Sequence, residues 1–502
     1  MQMKWIWIVL LAAPRVYAQD AITESSDDEA TKTDLRLTLS SFLFRETGSD
    51  GAPLVDMGAP VASASPVRRY FGDLRAELTD GGFELDARVR QTTSQRFQSG
   101  ADGGGEYEIR TLRQRFGSEK TALYVGRQYI DAVAATKIDG LALVKKLNKT
   151  WSGTLFAGAF PQLGSRSLDT DYPEIDGSAL VPVTGGLGVS YSTGTIHGSL
   201  GAGAVYTMQD VPGATASEAS RVFVTATGYT RPARFLDVYH FAQADVAGNA
   251  GANLTNGSLG INVQATSSLQ LNAAVNHVST DLLQIAARNT IEDPDPNAMG
   301  IVQNNIAIVR VSQDLVRGGA SVALAQQRFE ISMSTGMRRR PGVSVALADG
   351  SSVAFPETKN ADVSITILDR RSIAKLRASA TATVFYPLGD EGPNRSRGSM
   401  VRLVLGRTFA DSRGEIEADV MAERFRDATG GGMCTTSMDV FSCYGASKVT
   451  AGQAGALASW RVGREWLVIL DSHVGARSVS GTVDTPRAYS VTAFARLQWR
   501  YR

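Results

Sequence analysis

The chain has 502 residues, of which 43% are apolar, 20% charged and 8% aromatic, and 50 are glycine. This composition excludes a disordered protein and is compatible with one large domain or several ordinary ones. Its 51 basic and 50 acidic residues give a formal net charge of +1, which argues against a nucleic-acid-binding protein.

The first eighteen residues predict a secretory signal peptide. Lys4 precedes the apolar run 5–13, and Val16 and Ala18 are suited to the positions before a cleavage site. An uncut membrane anchor is the alternative, which the short run disfavours. Residue 19 is Gln rather than Cys, so a lipid-anchored lipoprotein is not expected. After the first twenty residues no run approaches the about 18 apolar residues of a spanning helix, whereas a membrane β-barrel stays compatible with the sequence.

Residues 19–34 carry six acidic side chains against a single lysine and predict a solvated periplasmic tail, with docking of a periplasmic partner protein as the alternative. From Leu35 onward the dominant pattern is alternation with a period of two, which is typical of strands with one apolar and one polar face. Between Tyr489 and Tyr501 every second residue is apolar or aromatic. The segments that begin at Phe83, Leu269 and Glu415 show the same division. A soluble sandwich and a membrane barrel both produce this alternation.

The connections between these segments distinguish the two architectures. Longer irregular stretches, such as 161–180 and 281–300, alternate with short turns, and this arrangement is typical of an outer-membrane barrel. Counting strands around the turns predicts a single large antiparallel transmembrane β-barrel over residues 35–502, with about 22 strands and a range of about 16 to 24. Both termini lie at the short-turn end. The short turns are predicted at 80–82, 117–118, 147–148, 192–194, 231–232, 266–268, 318–319, 371–372, 411–414 and 463–464.

The chain closes with Trp499-Arg500-Tyr501-Arg502 after its alternating final strand. It resembles the porin-like outer-membrane β-barrel proteins of Gram-negative bacteria, whose last strand ends in an aromatic residue. Here Arg502 is last and Tyr501 penultimate, a departure from that pattern. The resemblance implies location in the cell outer membrane, contact with outer-membrane lipid and lipopolysaccharide, and insertion by the barrel-assembly machinery. The short acidic tail leaves no room for a plug domain, so siderophore-type uptake is disfavoured.

Charged residues on the inward face are the main chemical feature of the predicted barrel. Opposed charges across a pore set up a field that orients and filters polar solutes. The alternative is that they pair with each other and solvate the lumen. The basic run 338–340 is predicted to lie in a surface loop, solvated or near anionic lipid sugars. The predicted pore-lining residues are Arg75, Glu84, Asp86, Arg88, Arg90, Arg110, Arg377, Arg402, Glu417, Asp419 and Arg496.

Cys434 and Cys443 are the two cysteines, and in an oxidising compartment they predict one local disulfide. A metal site is the alternative, but further ligands are absent nearby, so no metal and no cofactor are expected. The four histidines are scattered over separate segments, and no spacing selects a catalytic pair, so the chain is not expected to be an enzyme.

These features predict an outer-membrane barrel that provides an aqueous pore for hydrophilic solutes, by diffusion or as the outer pore of an export route. The alternative is a structural barrel that anchors an envelope-spanning machine for motility, adhesion or polymer secretion. The acidic tail and the long loops motivate that alternative. A pore should conduct when purified alone, whereas a scaffold should copurify with partners and conduct little.

Overall fold

The computed structural model describes most of the chain from residue 33 to residue 501. The predicted signal peptide, nearly all of the acidic tail, and both cysteines lie outside the described residues. The described ranges are 33–47, 54–56, 59–61, 67–92, 105–161, 168, 171–172, 174–175, 178–179, 181–207, 221–247, 252–279, 312–346, 352–355, 357–373, 376–388, 397–410, 413–427, 447–480 and 485–501.

Within these ranges 22 strands pair in chain order into one antiparallel sheet, and the last strand returns to pair with the first. The predicted all-β fold and the predicted strand count are confirmed. Among the described residues, no helix is long and apolar enough to cross a membrane. The wall strands are β1 Asp34–Thr47, β2 Val67–Asp80, β3 Phe83–Thr92, β4 Gly105–Gly117, β5 Thr121–Ile130, β6 Thr136–Lys146, β7 Trp151–Ala159, β8 Pro182–Ser192, β9 Ile196–Thr207, β10 Arg221–Ala233, β11 Leu236–Ala247, β12 Asn253–Gln264, β13 Leu269–Ser279, β14 Ser312–Leu324, β15 Phe329–Arg340, β16 Thr358–Ile373, β17 Leu376–Pro387, β18 Arg397–Phe409, β19 Gly414–Asp427, β20 Ser447–Val462, β21 Trp466–Ser480 and β22 Thr485–Tyr501.

The seam between β1 and β22 closes the barrel. Its register runs from Leu35 opposite Tyr501 to Thr47 opposite Tyr489, so the backbone ladder continues along nearly all of both strands. Arg500 adds a bidentate contact to Asp34, with its Nη2 2.5 Å from Oδ2 and its Nε donating to Oδ1 at 3.1 Å. Closure leaves neither strand with an exposed edge.

One face of the wall carries exposed apolar side chains. Leu39, Leu74 and Val89 are consecutive register partners on β1, β2 and β3, and they are 53%, 48% and 45% exposed. The alternate positions carry the charged side chains. A band of exposed apolar residues that continues around a closed barrel is the surface that contacts lipid, so the charged face lines the lumen.

Exposed aromatic residues border this band at both ends. At the short-turn end they are Trp151, Trp460, Trp466 and Tyr501, and the Trp466 and Trp499 rings lie 6.2 Å apart. At the opposite end they are Tyr70, Tyr107, Tyr206, Tyr386 and Tyr489. Aromatic side chains favour the membrane–water interface because one end is apolar and the other is polar. The two girdles therefore mark the limits of the hydrocarbon region.

Most short turns lie where they were predicted. Between β2 and β3, Gly81 and Gly82 have φ values of 55° and 89°, a left-handed conformation that glycine adopts without strain. The turn predicted at 318–319 is wrong, because these glycines lie inside β14 and the chain reverses at 325–328. The turns predicted at 231–232 and 371–372 are also displaced, since β10 and β16 extend through those positions. Each displaced turn still joins the same two strands, so the strand count is unchanged.

The basic run 338–340 does not lie in a loop, as predicted, but forms the last residues of β15. Arg339 lies two residues after the exposed Met337 and is therefore on the same, exterior face. Arg338 and Arg340 face the lumen. Arg339 lies 2.5 Å from Glu357, at the entry to β16. The strand continues beyond the apolar band here, and an arginine can be accommodated at such an end because its charged group reaches water.

The two faces can be tested with adjacent residues of β15. Met333 is exterior and 50% exposed, and Ser332 faces the lumen. We expect Met333→Arg to lower the free energy of unfolding in lipid vesicles by about 2–4 kcal/mol, because it places a charge in hydrocarbon. We expect Ser332→Arg to change it by about 0.5 kcal/mol or less, because its side chain stays in water. Equal losses in a urea titration of the two variants would contradict the assignment of faces.

Candidate functional site in the barrel lumen

The strands β5, β6 and β7 share a row of glycines that bends the wall. Gly126, Gly140 and Gly158 are consecutive register partners. A Cβ at Gly126 would lie 2.1 Å from the Leu112 carbonyl oxygen, and one at Gly140 would lie 2.2 Å from the Ala157 carbonyl oxygen. Gly126 also has a φ of 123°, which L side chains rarely adopt. Only glycine allows this close approach of neighbouring backbones, so the bend is fixed by these positions.

Beyond the bend, the tip of the β5–β6 hairpin folds into the lumen. A short 3₁₀ helix, Asp131–Val133, forms this tip. A Cβ at Gly188 of β8 would lie 2.7 Å from the Ala132 Cβ, and one at Gly201 of β9 would lie 2.6 Å from the Ala132 carbonyl oxygen. Gly188 follows the exterior Leu187 and Gly201 follows the exterior Leu200, so both glycines face the lumen. The tip therefore lies against the inner wall, beyond β7. The hairpin therefore occupies part of the channel.

A small apolar cluster holds the tip in place. Val133 is fully buried in it, and the Phe156 and Phe223 rings occupy the space beside Gly186 and Gly203 of the neighbouring strands. These inward apolar side chains lose contact with lumen water when the tip packs on them, which stabilises the infolded hairpin. The cluster comprises Ile130, Ala132, Val133, Ile138, Ala142, Phe156, Phe160, Val205 and Phe223.

A buried ionic clasp joins the hairpin to the β7–β8 connection. Arg127 donates from Nε to Asp139 Oδ1 at 2.6 Å and also contacts Asp171 of the connection. Lys137 Nζ lies 3.5 Å from Asp171, and the Tyr172 hydroxyl donates to Asp139 at 2.6 Å. Burial and this hydrogen bond raise the pKa of Tyr172. Two cations face two carboxylates, so the clasp is neutral overall although Arg127 and Asp171 are only 9% and 3% exposed.

The first group of predicted pore-lining residues forms a cross-strand lattice on β2, β3 and β4. Register places Arg75 opposite Arg88, and the repulsion is avoided because each arginine pairs diagonally. Arg75 makes a bidentate contact with Asp86 at 2.7 and 2.8 Å, and Arg88 contacts Asp73. Such fork-like pairs are shorter and stronger than neutral hydrogen bonds.

The remaining members of this group join the same lattice. Arg90 Nε also donates to Asp73, at 3.0 Å, and its guanidinium lies 4.6 Å from the centre of the Phe71 ring. Glu84 accepts from Arg113 on β4 at 2.8 and 2.9 Å. Arg110 lies at a β-bulge and is looser, with its Nη1 3.9 Å from Asp86 Oδ2.

A second ionic group lies on β17 to β21. Two of its contacts cross an intervening strand at a glycine, where no side chain stands in the way. Arg377 of β17 reaches across Gly406 of β18 to contact Glu417 on β19, and its Nη2 lies 2.8 Å from Glu415 Oε1. Arg402 Nε donates to Asp419 Oδ2 at 3.2 Å. Asp419 in turn reaches across a glycine of β20 to the His473 ring, 3.1 Å away. A side chain at either gap would block these second-neighbour contacts.

Arg496 stands apart from both ionic groups. Its Nε donates to Ser40 across the seam at 3.4 Å, and its guanidinium lies 5.2 Å from the centre of the Phe494 ring. Sequence reasoning selected the charged lumen face but missed the infolded hairpin. The glycines at 126, 140 and 158 were the available signal, and it is readable only after β5, β6 and β7 have been placed in register.

No protein-family model matches the sequence, and no curated protein matches it. Among solved structures, the chain is similar to OccD3 (OpdP) of Pseudomonas aeruginosa at 10% identity, with 94% of this chain and 92% of that chain covered and a TM-score of 0.38. It is similar to OccAB4 of Acinetobacter baumannii at 9% identity, covering 95% and 100%, with a TM-score of 0.39. For the copper transporter OprC the identity is 12%, the coverage 94% and 80%, and the TM-score 0.46.

The chain's own architecture defines its class. A closed barrel with an even number of strands, short turns at one end, an apolar exterior band and two aromatic girdles is an outer-membrane β-barrel. The predicted resemblance to the porin-like barrels is therefore confirmed at the level of the fold.

The clasp can be tested against a solvent-exposed ion pair of the same barrel. We expect Asp171→Asn to lower the free energy of unfolding by about 3–5 kcal/mol, because it leaves two buried cations facing one carboxylate. Glu357→Gln removes the partner of Arg339 at the exposed end of β15 and should cause no measurable change. Urea titration in lipid vesicles measures both variants. An Asp171→Asn barrel as stable as Glu357→Gln would show that the clasp does not hold the hairpin.

Proposed function

We propose that this protein is an outer-membrane channel for hydrophilic solutes, narrowed by the infolded β5–β6 hairpin. The observation that carries the proposal is the Asp131–Val133 tip seated on Gly188 and Gly201 inside a closed barrel with a polar lumen. A polar lumen replaces part of the hydration that a hydrophilic solute loses on entry. Passage through it needs no chemical step and no bound cofactor.

The ionic groups give the proposed channel a fixed charge pattern. Most of their arginines are paired with carboxylates, so the wall presents alternating partial charges instead of one sign. Such pairs hold long side chains close to the wall and keep the passage open. A charged solute near the wall would experience a local field that changes sign over one strand spacing.

Membrane placement and assembly belong to the same proposal. The exterior band would contact outer-membrane lipid and lipopolysaccharide, and the barrel-assembly machinery would recognise the final strand through Tyr501, which is 52% exposed. The acidic residues 19–34 would follow a cleaved signal peptide in the periplasm. Partner proteins that bind this tail remain a prediction from the sequence.

Single-channel recording of the mature protein in planar bilayers tests the channel. We expect steady conductance, and we expect the reversal potential under a salt gradient to shift toward cation selectivity in Arg88→Gln/Arg90→Gln, because two lumen cations are lost. The matched control is Arg339→Gln, since Arg339 lies on the exterior face and should leave the reversal potential unchanged. A silent but correctly folded barrel would overturn the channel and favour a scaffold that binds periplasmic partners.

The hairpin is tested by filling its seat on β9. In Gly201→Leu the new side chain would occupy the position of the Ala132 carbonyl, so we expect the tip to be displaced and the single-channel conductance to rise. Ala202→Leu is the matched control, because Ala202 is adjacent on β9 and belongs to the lipid-facing positions. If both variants conduct like the parent barrel, the hairpin does not narrow the passage.

A further inference from the structure

The lumen face of β9 to β13 differs from the two ionic groups. Between the hairpin seat and Arg317 of β14, most inward positions carry hydroxyl, amide or aromatic side chains. Two ion pairs of β10 and β11, Arg231 with Asp237 near the turn and Arg221 with Asp245 at the other end, each span 2.6 Å and are internally balanced. This sector is therefore polar without net charge. The polar uncharged residues that share its lumen face include Ser199, Thr227, Asn256, Ser258, Asn262, Asn272 and Asn276.

Three aromatic rings cross this sector in one row. His197 of β9, Tyr229 of β10 and Tyr239 of β11 are consecutive register partners. The His197 and Tyr229 rings are stacked, with centroids 4.9 Å apart and planes 24° from parallel. His197 and Tyr239 are exposed, and Tyr229 is half-buried. We refer to these three residues as the aromatic row.

The backbone of β12 sets the orientation of Tyr239. Gly260 is its register partner, and a Cβ there would lie 1.9 Å from the Tyr239 Cζ. The Tyr239 ring therefore lies across the Gly260 position, where any side chain would displace it, and the residue stays 39% exposed. Leu259 and Ile261, on either side of Gly260, are exposed on the exterior face. This alternation assigns the aromatic row to the lumen and separates it from the girdles that contact lipid.

Polar groups surround the row and fix it. The Tyr229 hydroxyl donates to Asp237 Oδ1 at 2.5 Å, and Asp237 also accepts from Arg231 Nε at 2.6 Å. Asn262 and Asn272 continue the register row of Asp237 on β12 and β13, and both are exposed. Each amide offers both a donor and an acceptor to a ligand beside the rings.

The exposed Tyr239 ring, bordered by amides and hydroxyls and by the stacked His197–Tyr229 pair, fits one class of solute. A pyranose ring presents C–H groups on its faces and hydroxyl groups around its rim. The negative face of an aromatic ring attracts such C–H groups, and amide side chains satisfy hydroxyl groups as both donors and acceptors. A charged solute would find no excess of opposite charge here. We propose that the aromatic row binds neutral oligosaccharides as they pass through the lumen, an inference that rests on the proposed channel.

The row is also close to the hairpin seat. His197 and Gly201 lie on the same strand, four residues apart, which is about 13 Å at a rise of about 3.3 Å per residue. A short oligosaccharide stacked on the row would thus reach the infolded tip. The narrowing keeps the solute near the wall, and the rings provide a surface along which it can bind.

Transient blocking of single-channel current measures this binding. The probe is a short linear glucose oligosaccharide, and polyethylene glycol of the same hydrodynamic radius controls for size. We expect the sugar to block the parent barrel for longer than the polymer does. In Tyr239→Ala the residence time of the sugar should fall about fivefold to tenfold, the loss expected for one stacked ring. Tyr239→Phe should retain most of the residence time because the ring remains.

Two further variants keep the test specific. Gly260→Ala should also shorten the sugar block, because its methyl group displaces the Tyr239 ring. Tyr206→Ala removes a tyrosine from the lipid-facing girdle of β9 and should leave the block unchanged. The open-channel conductance of every variant is recorded first, so that loss of the channel is distinguished from loss of the sugar site. A conducting barrel in which sugar and polymer block alike, or in which Tyr239→Ala changes nothing, would overturn the proposal.

Discussion

The whole structure depends on the requirement that no backbone N–H or C=O group is left unpaired in hydrocarbon, where each costs several kcal/mol. A sheet meets this requirement only by closing, so β22 must return to β1. Closure then imposes the up-and-down order and an even strand number that places both ends of the wall at the short-turn end. The alternation of exterior and lumen side chains follows, because successive residues of a strand point to opposite faces.

This requirement explains why the fold could be predicted from the sequence. Alternation and turn spacing persist along the chain, so an error at one turn does not change the predicted strand count. The glycine pair at 318–319 was taken for a reversal, yet it lies in a central part of β14 beside Asn272. Glycine weakens a strand without ending it when the ladder continues on both sides. The run 338–340 was misplaced for a related reason, since the strand extends past the apolar band.

The candidate site was predictable only in outline. Alternation predicted which arginines face the lumen, but their partners depend on register. Register places Arg75 opposite Arg88, and the diagonal exchange with Asp86 and Asp73 is seen only in the three-dimensional structure. The infolded hairpin and the aromatic row were missed for the same reason. Both are made of residues far apart in the chain that become neighbours when three strands align.

Glycine placement unites these features. At Gly126 and Gly140 it lets backbones approach and bends the hairpin inward, and at Gly188 and Gly201 it leaves room for the tip. At Gly406 and Gly260 the missing side chain opens a path for an arginine or supports a tyrosine ring. In a wide barrel the wall alone cannot bring side chains together across the lumen. The glycine positions, where the wall lacks a side chain, therefore shape the passage. They decide where a neighbouring ring can lie over the backbone, where an arginine can reach across a strand, and where the hairpin tip can pack.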